Sequence, residues 1–329
     1  MGNTLLLNKD IRYRLLCIFL ISGMLFSSCD PGKDVSNKII GKIVSLKVYS
    51  TDIGSGNEDN VNNLIVLLFE PNGGVFLGYM LSQDVENGMV ALNLPEGIDK
   101  SKVCDALVIA NFLSDGYSFL NGMGVDEYIR KQCTSKSKNQ VSELFGILLP
   151  TNGMQPDNLL LRGGCDNTPL EEMEFRLGAS LAKLFVKINE FVENFEGESA
   201  WVYNLPRKVL PWSNSYLYSS NSDEKYNLSK EYHFVDHKLT EPIYLVPTLA
   251  EYDQAIDKTV YLIVKGRYNG GQASFYRVDI LFNEHVKTPI IYGGMNATLL
   301  IESVNAVGYA SIKDAIESSN SQKIEASIY

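Results

Sequence analysis

Short apolar segments, separated by turn residues, run through most of this 329-residue chain. Val44, Leu46 and Val48 alternate with polar residues, which is typical of a β-strand with one solvent-exposed face. Residues 64–69 (LIVLLF) form a continuous apolar run that fits a strand buried on both faces. Residues 269–271 (Asn-Gly-Gly) tolerate the positive φ of a tight hairpin turn between two further strands. This succession of short strands predicts an all-β fold.

Helical signals are few, and the clearest lies at residues 311–317. Many short strands, few helices and a chain of this length predict two tandem antiparallel β-sandwich domains with few short helices. A polar stretch at 194–199 is the predicted linker. The N-terminal domain is therefore expected over residues 29–193 and the C-terminal domain over residues 194–329.

Two longer alternating patterns predict further strands. Residues 175–189 alternate over a length that could also form a helix, and the alternation favours one long strand. At the end of the sequence, Ile324, Ala326 and Ile328 alternate with polar residues as far as Tyr329. Because a strand leaves its backbone groups unpaired until it finds a partner, this terminal strand is expected to pair with something.

The amino terminus carries an export signal. A short basic head precedes an apolar run at residues 15–26, which is followed by two serines and Cys29. This pattern predicts a lipoprotein signal peptide over residues 1–28 with lipid attachment at Cys29; an ordinary secretory signal with an incidental cysteine is the alternative. No other apolar run has the length of a membrane span. The net charge of −10 argues against a nucleic-acid partner.

Three cysteines remain beyond this segment: Cys104, Cys133 and Cys165. An odd number without metal-like spacing predicts buried or incidental thiols, with one disulfide as an open alternative. His233 and His237 are four residues apart in a segment with a strand-like sequence, where they would be about 13 Å apart and too distant to share a metal ion.

No motif of catalysis or nucleotide binding is present. The double glycines at 73–74, 163–164, 270–271 and 293–294 belong to no phosphate-binding motif and are assigned to turns. No nucleophile motif accompanies the three histidines. We therefore expect no enzymatic activity, no cofactor and no metal site.

One binding alternative remains open. The aromatic residues Trp201, Trp212, Tyr216 and Tyr218 could form a platform on which sugars stack, although aromatic residues of a sandwich more often pack in its core or at its edge. On this alternative the chain is a surface lipoprotein that binds glycans.

Taken in order, several segments resemble the fimbrillin-type pilus subunits of the Bacteroidales. They are the lipobox at Cys29, VLLFEPNGG at 66–74, VIANF at 108–112, the hairpin at 259–279 and GYAS at 308–311. The resemblance implies two β-sandwich domains, export as a lipoprotein to the outer membrane and cell surface, and a structural role in a fimbrium. It also implies that other fimbrial subunits are the partners, joined by donation of a β-strand.

Mapped onto this chain, the resemblance implies that residues 39–48, with Val44, Leu46 and Val48, form a first strand that is removed by proteolysis. The donor strand is then residues 323–329, and Ile324, Ala326 and Ile328 are the side chains inserted into the next subunit.

In this family the protease usually cuts after an arginine, but the first arginine after Cys29 is Arg130, far beyond the first strand. Processing at Lys38, Lys42 or Lys47 is one reading. The other is an uncleaved subunit that stays lipidated and anchors the fibre, so a stalk role and an anchor role both stay open.

Overall fold

The computed structural model describes residues 43–50, 61–83, 85, 89–112, 118–119, 122–149, 159–212, 225–249, 260–280, 290–291, 293–318 and 323–329. The described residues from Val44 onward form one compact unit. Strands dominate and helices are few and short, so the predicted all-β class is confirmed.

The strands up to residue 179 are β1 (Ile43–Ser50), β2 (Leu64–Phe69), β3 (Phe76–Ser82), β4 (Met89–Asn93), β5 (Val103–Ala110), β6 (Ser118–Phe119), β7 (Ile147–Leu148), β8 (Leu161–Pro169) and β9 (Glu174–Ala179). The later strands are β10 (Ala182–Ile188), β11 (Phe195–Pro206), β12 (Lys208–Val209), β13 (Lys225–Leu228), β14 (Tyr232–Val235), β15 (Lys238–Leu239), β16 (Ile243–Leu245), β17 (Thr248–Leu249), β18 (Tyr261–Tyr268), β19 (Ala273–Asp279), β20 (Ile290–Ile291), β21 (Asn296–Val304) and β22 (Ile324–Ile328). The helices are α1 (Val125–Cys133), α2 (Lys138–Leu144) and α3 (Ile312–Glu317), and a 3-10 turn spans Leu170–Glu172.

The first sheet has seven strands in the order β3-β2-β5-β8-β9-β1-β4. Its central strand β2 is buried along its whole length, as the apolar run predicted. The two ends of the sheet approach each other, since a Cβ added at Gly78 in β3 would lie 2.9 Å from the Cβ of Pro95, just after β4. The sheet therefore curls almost closed around its own apolar face.

The second sheet has ten strands, with β19-β18-β11-β14-β15-β10-β21-β22 as its main path, β13 beside β11 and β16 beside β10. Hairpin β18–β19 turns at Asn269 and Gly270, whose φ angles are 49° and 68°, so the predicted tight turn is confirmed. Most pairs are antiparallel, but β1 runs parallel to β9 and β10 runs parallel to β21.

The prediction of one long strand over residues 175–189 is wrong. Strand β9 belongs to the first sheet and β10 to the second, with the change at Ser180 and Leu181. The buried residues are odd-numbered in β9 and even-numbered in β10. Side chains alternate between the two faces of a strand. The change from odd-numbered to even-numbered buried residues therefore shows that the alternation is interrupted between β9 and β10, so that each strand directs its apolar side chains into its own sheet's core.

Each sheet encloses its own hydrophobic core, and the first core also takes residues from later in the chain. Val209, Tyr244 and Val246 are buried among the side chains of the first sheet. The predicted domain boundary between residues 193 and 194 stays a prediction, and it lies after β10, which is a strand of the second sheet.

Of the three helices among the described residues, only α3 was predicted. Its N-cap is Ser311, whose hydroxyl accepts a hydrogen bond from the backbone N–H of Asp314 at 3.1 Å. The N-cap of α1 is Gly124, which has no side chain to cap the helix, whereas α2 is preceded by a capping box formed by Ser137 and Gln140. Within the described part of the chain, no helix has the length and apolar character needed to cross a membrane.

Candidate functional site

The first strand lies inside its sheet. Strand β1 is placed between β9 and β4, and it pairs with β9 in the register Lys47 with Glu174 and Val48 with Phe175. Lys47 Nζ donates a hydrogen bond of 2.9 Å to Glu174 Oε1, and this bond with its charge lowers the pKa of Glu174. Leu46 is fully buried in the first core.

Because β1 is internal, its removal would affect two neighbours at once. Strands β9 and β4 would each lose the backbone partner that lies between them, and the space filled by Leu46 would open. The gap would be a slot with hydrogen-bonding groups on both walls, which suits an inserted strand better than a single free edge does.

The described residues include part of the predicted removable strand. Val44 and Val48 belong to β1, but their side chains lie outside the described residues, as do Lys38, Lys42 and Cys29. Lys47 is described, and its side chain is about half exposed and held by Glu174.

The carboxyl-terminal strand is paired within its own chain. Strand β22 lies antiparallel to β21 at the end of the second sheet, and Ile324, Ala326 and Ile328 are opposite Val304, Ile301 and Leu299. The pairing continues past the strand, since the backbone N–H and C=O of Tyr329 both bond to Thr298, at 3.1 and 2.8 Å. The sequence therefore predicted the strand correctly, and its partner is β21.

The three apolar side chains of β22 are covered to different degrees. Ile324 is 4% exposed and belongs to the second core, and Ile328 packs against that core while partly exposed. Ala326 lies between them on the same face of the strand, yet it is exposed. Its own domain therefore leaves the middle of the terminal strand uncovered.

The segment before β22 is fixed to the second sheet by cationic side chains. Arg277, which is 3% exposed, donates from Nη1 to the backbone oxygen of Ser318 at 3.2 Å, just after α3. Lys323 Nζ lies 4.0 Å from the ring centre of Tyr309. Tyr309 in turn exchanges two backbone hydrogen bonds with Phe275 in β19.

The two described aromatic residues of the glycan alternative, Trp201 and Trp212, lie on different sheets. Trp201 is half-buried beside Phe275 in the second sheet, with ring centres 6.2 Å apart. Trp212 lies against the first sheet, where Nε1 donates to the backbone oxygens of Val108 and Gly163 at 3.2 and 3.1 Å. Tyr216 and Tyr218 lie outside the described residues.

His233 and His237 are both exposed, and His285 lies outside the described residues. The described side chains contain no group of three or more His, Cys, Asp or Glu residues that could hold a metal ion.

The described cysteines Cys104, Cys133 and Cys165 form no disulfide, so that open alternative is not realised. Burial raises the pKa of the Cys133 thiol to about 12 and that of the Cys165 thiol to about 11. It also raises the pKa of Cys104. Thiols held neutral in this way are poor nucleophiles, which fits the prediction of buried or incidental thiols.

Sequence reasoning missed a cleft on the first sheet. Gly163 and Gly164 lie inside β8, so their assignment to a turn is wrong, and together with Gly178 of β9 they line a cleft beside Trp212. The only sequence signal for it was the double glycine within a strand-like stretch.

No protein-family model and no curated protein matches this chain. Solved structures do match over nearly its whole length. The tip fimbrial protein Mfa3 from Porphyromonas gingivalis, solved with a C-terminal truncation, has a TM-score of 0.51 at 16% identity and covers 87% of this chain and 99% of its own. The chain has the fimbrillin-type fold.

Two further structures agree. The fimbrilin of Porphyromonas gingivalis W83 has a TM-score of 0.51 at 12% identity, covering 88% of this chain and 96% of its own. A candidate cell adhesion protein from Bacteroides eggerthii has a TM-score of 0.56 at 14% identity, covering 88% of this chain and 95% of its own. The resemblance found in the sequence is thus confirmed for the fimbrillin-type fold.

Proposed function

We propose that this chain is a non-enzymatic subunit of a cell-surface fimbrium. On this proposal it is exported as a lipoprotein through Cys29, and neighbouring fimbrial subunits are its partners. The fimbrillin-type fold supports the proposal, because proteins described as fimbrial subunits and adhesion proteins share it. The observation that carries it is the placement of the first and the last described strands of the sequence. Strand β1 lies inside one sheet, and β22 lies at the end of the other.

Assembly follows from that placement. Once β1 is removed, the slot between β9 and β4 accepts the terminal strand of another copy, which supplies main-chain hydrogen bonds and inserts Ile324, Ala326 and Ile328. Because Ile324 is already buried in its own subunit, the new apolar burial comes from Ala326 and from the exposed part of Ile328, and the main-chain hydrogen bonds of the slot carry the rest of the attraction. Ala326, which its own domain leaves exposed, gains cover in the new site.

Whether Cys29 is retained or removed by cleavage then decides between a stalk role and an anchor role. Cleavage at Lys38, Lys42 or Lys47 discards the lipid with the start of the chain and yields a stalk subunit. Without cleavage the lipid stays in the outer membrane and the subunit anchors the fibre. The N-terminal mass of the protein taken from intact fibres distinguishes these two roles.

Strand donation is tested by Ala326→Asp. Because Ala326 is exposed in the monomer, the substitution should change the free energy of unfolding by no more than about 0.5 kcal/mol. In the slot of a neighbour, however, it would bury an unpaired charge, so fibres should fail to form. Val307→Asp is the matched control, since Val307 is 59% exposed and lies outside β22. Normal fibres from Ala326→Asp would rule out donation through this strand.

Deletion of residues 323–329 is the complementary variant. It should leave a monomer that folds but no longer joins fibres, with folding checked by circular dichroism.

A further inference from the structure

Strand β1 meets a charged pattern where it pairs with β9. Residues 47–50 of β1 lie parallel to β9 and opposite, in order, Glu174, Phe175, Arg176 and Leu177. Along β9 these four partners alternate between exposed charged residues and buried apolar ones. A strand that replaces β1 therefore meets an acidic side chain and then a basic one, two residues apart on the exposed face.

The start of the terminal strand repeats this part of β1. Residues 47–50 read Lys-Val-Tyr-Ser, and residues 323–326 read Lys-Ile-Glu-Ala. Both segments begin with a lysine, continue with a β-branched aliphatic residue and end with a small residue. The third position differs, since Glu325 stands where β1 has Tyr49. A glutamate at this position would lie opposite Arg176.

The charges of β22 and β9 match in one parallel register. With Lys323 opposite Glu174, Glu325 lies opposite Arg176, so that both pairs have opposite charges. A shift of two residues in either direction sets like charges opposite each other, and so does the antiparallel direction with Ile324 opposite Phe175. Opposite charges across two strands stabilise a sheet and like charges destabilise it. The other wall of the slot, β4, has no charged residue and does not affect the choice.

A shift of four residues is the remaining competitor. It would put Ala326 at the position of Leu46, but an alanine fills the space of a buried leucine poorly. It would also set uncharged residues of β22 opposite both charges of β9. The register with Lys323 opposite Glu174 leaves the space of Leu46 to Gln322, so its advantage lies in the pairing of charges.

In their own domain the two charges of the donor strand have uncharged partners. Lys323 Nζ lies over the ring of Tyr309, and Glu325 accepts a hydrogen bond of 2.9 Å from Ser303 Oγ. In the acceptor, Arg176 is exposed and belongs to none of the ion pairs between described residues. Donation would therefore replace neutral contacts of the donor by ionic contacts with the acceptor.

We propose that Glu174 and Arg176 set the direction and the register of the donated strand. The strand enters parallel to β9, with Lys323 of the donor bound to Glu174 and Glu325 of the donor bound to Arg176. The fitting partner is a subunit whose last strand carries a lysine two residues before a glutamate, as a second copy of this chain does. Such pairing rests on the proposed strand donation and requires that residues 47–50 leave β9.

Cysteine cross-linking of fibres measures the register directly. Residues directly opposite each other on neighbouring strands have Cα atoms about 5 Å apart, within reach of a disulfide, whereas a shift of two residues separates them by about 8 Å. Oxidised fibres of Arg176→Cys/Glu325→Cys should therefore run as covalent multimers in non-reducing electrophoresis. Fibres of the matched control Arg176→Cys/Ser327→Cys should run as monomers. Arg176→Cys alone controls for links through the native cysteines.

Charge reversal tests the recognition itself. Arg176→Glu sets two glutamates opposite each other, and fibre assembly should slow about tenfold. The double variant Arg176→Glu/Glu325→Arg restores opposite charges and should recover most of the rate. Arg130→Glu, at an exposed arginine of α1 outside both strands, should assemble at the rate of the unmodified protein. Thermal unfolding checks that each monomer is folded, and should Arg176→Glu not fold, Glu325→Arg alone carries the same expected loss.

Two results would overturn this register. One is linkage of Arg176→Cys to Tyr329→Cys in place of Glu325→Cys, and the other is a double variant that assembles no faster than the single one. Both leave strand donation standing as long as deletion of residues 323–329 abolishes fibres. Fibres that form without residues 323–329 would instead refute strand donation, and the register with it.

Discussion

The guanidinium carbon of Arg277 lies 3.9 Å from the ring centre of Tyr261, and both side chains are buried. Arg277 Nε also donates to Asp279 Oδ1 at 2.9 Å, and its Nη1 reaches the backbone oxygen of Ser318. One buried cation thus joins β18, β19 and the end of α3. Cations are favourable at the carboxyl end of a helix, where backbone oxygens lack partners.

Arg277→Ala should therefore be strongly destabilising. Removing one partner of a buried ion pair costs about 3–5 kcal/mol, because the remaining charge is left without compensation. The measurement is the free energy of unfolding in urea. Arg267→Ala is the control: Arg267 binds Glu198 while its side chain is 47% exposed, and its removal should cost less than about 1 kcal/mol. Equal losses in the two variants would contradict this account.

Asp105→Ala should destabilise the first sheet. The carboxylate of Asp105 is buried and accepts hydrogen bonds from the backbone N–H of Gly73 at 2.6 Å and of Asn167 at 2.8 Å. Its loss leaves both donors unpaired, and we expect the free energy of unfolding to fall by about 2–4 kcal/mol. Asp105→Asn keeps one acceptor oxygen, so its free energy of unfolding should lie between those of the unmodified protein and Asp105→Ala. Asp99→Ala, at an exposed turn, should leave the urea midpoint almost unchanged, and a similar midpoint for Asp105→Ala would refute the prediction.

The stability of the chain should fall at alkaline pH. Burial raises the pKa of Cys133 and of Tyr128 to about 12 each, above the values near 9 and 10 of the unfolded groups. The folded chain therefore holds these protons more tightly than the unfolded chain does. This stabilisation is complete below about pH 9 and is lost progressively as the pH rises towards 12.

Urea unfolding at about pH 8 and about pH 11 measures this loss. Cys133→Ala should lower the stability at both pH values, because it leaves a small cavity, but its loss between them should be smaller. Ser142→Ala removes no titrating group and should keep the wild-type pH dependence. A pH dependence unchanged by Cys133→Ala would show that this thiol is not responsible.

The terminal strand should be held mainly at its start. Ile324 is almost fully buried, so Ile324→Ala should cost about 2–4 kcal/mol, whereas Ala326→Ser at an exposed position should change the stability by less than about 0.5 kcal/mol. Hydrogen exchange should show faster opening around Ala326 and Ile328 than around Leu299 in β21. Equal protection of all backbone amides of β22 from exchange would argue against a strand that separates easily from β21.

The strand content could be predicted from the sequence because alternation and turn residues act locally. Strand β2, the Asn269–Gly270 hairpin and β22 all follow from such local rules. The break between β9 and β10 was overlooked because Gly178 fits the alternation of residues 175–181, although four successive buried residues, Ala179–Ala182, interrupt the alternation of buried and exposed side chains. The capping box at Ser137 and Gln140 is a local sequence signal for α2.

The candidate site was less predictable. The alternation of Ile324, Ala326 and Ile328 indicates a strand, but only the pairing of β22 with β21 reveals that Ala326 stays exposed. The internal position of β1 and its parallel pairing with β9 depend on partners more than a hundred residues away. The cleft at Trp212 likewise depends on contacts between distant segments, since residue 212 reaches back to Val108.

The pairing of β12 with β7 and the burial of Val209, Tyr244 and Val246 in the first core bear on mechanical strength. On the proposed function, each subunit would transmit the tension that flow exerts on a fibre at the cell surface. In this chain, residues that follow β10 in the sequence are buried in the first core. Separating the two sheets would therefore require several contacts between distant segments to break together. We therefore expect this subunit to resist stretching as a whole rather than one sheet at a time.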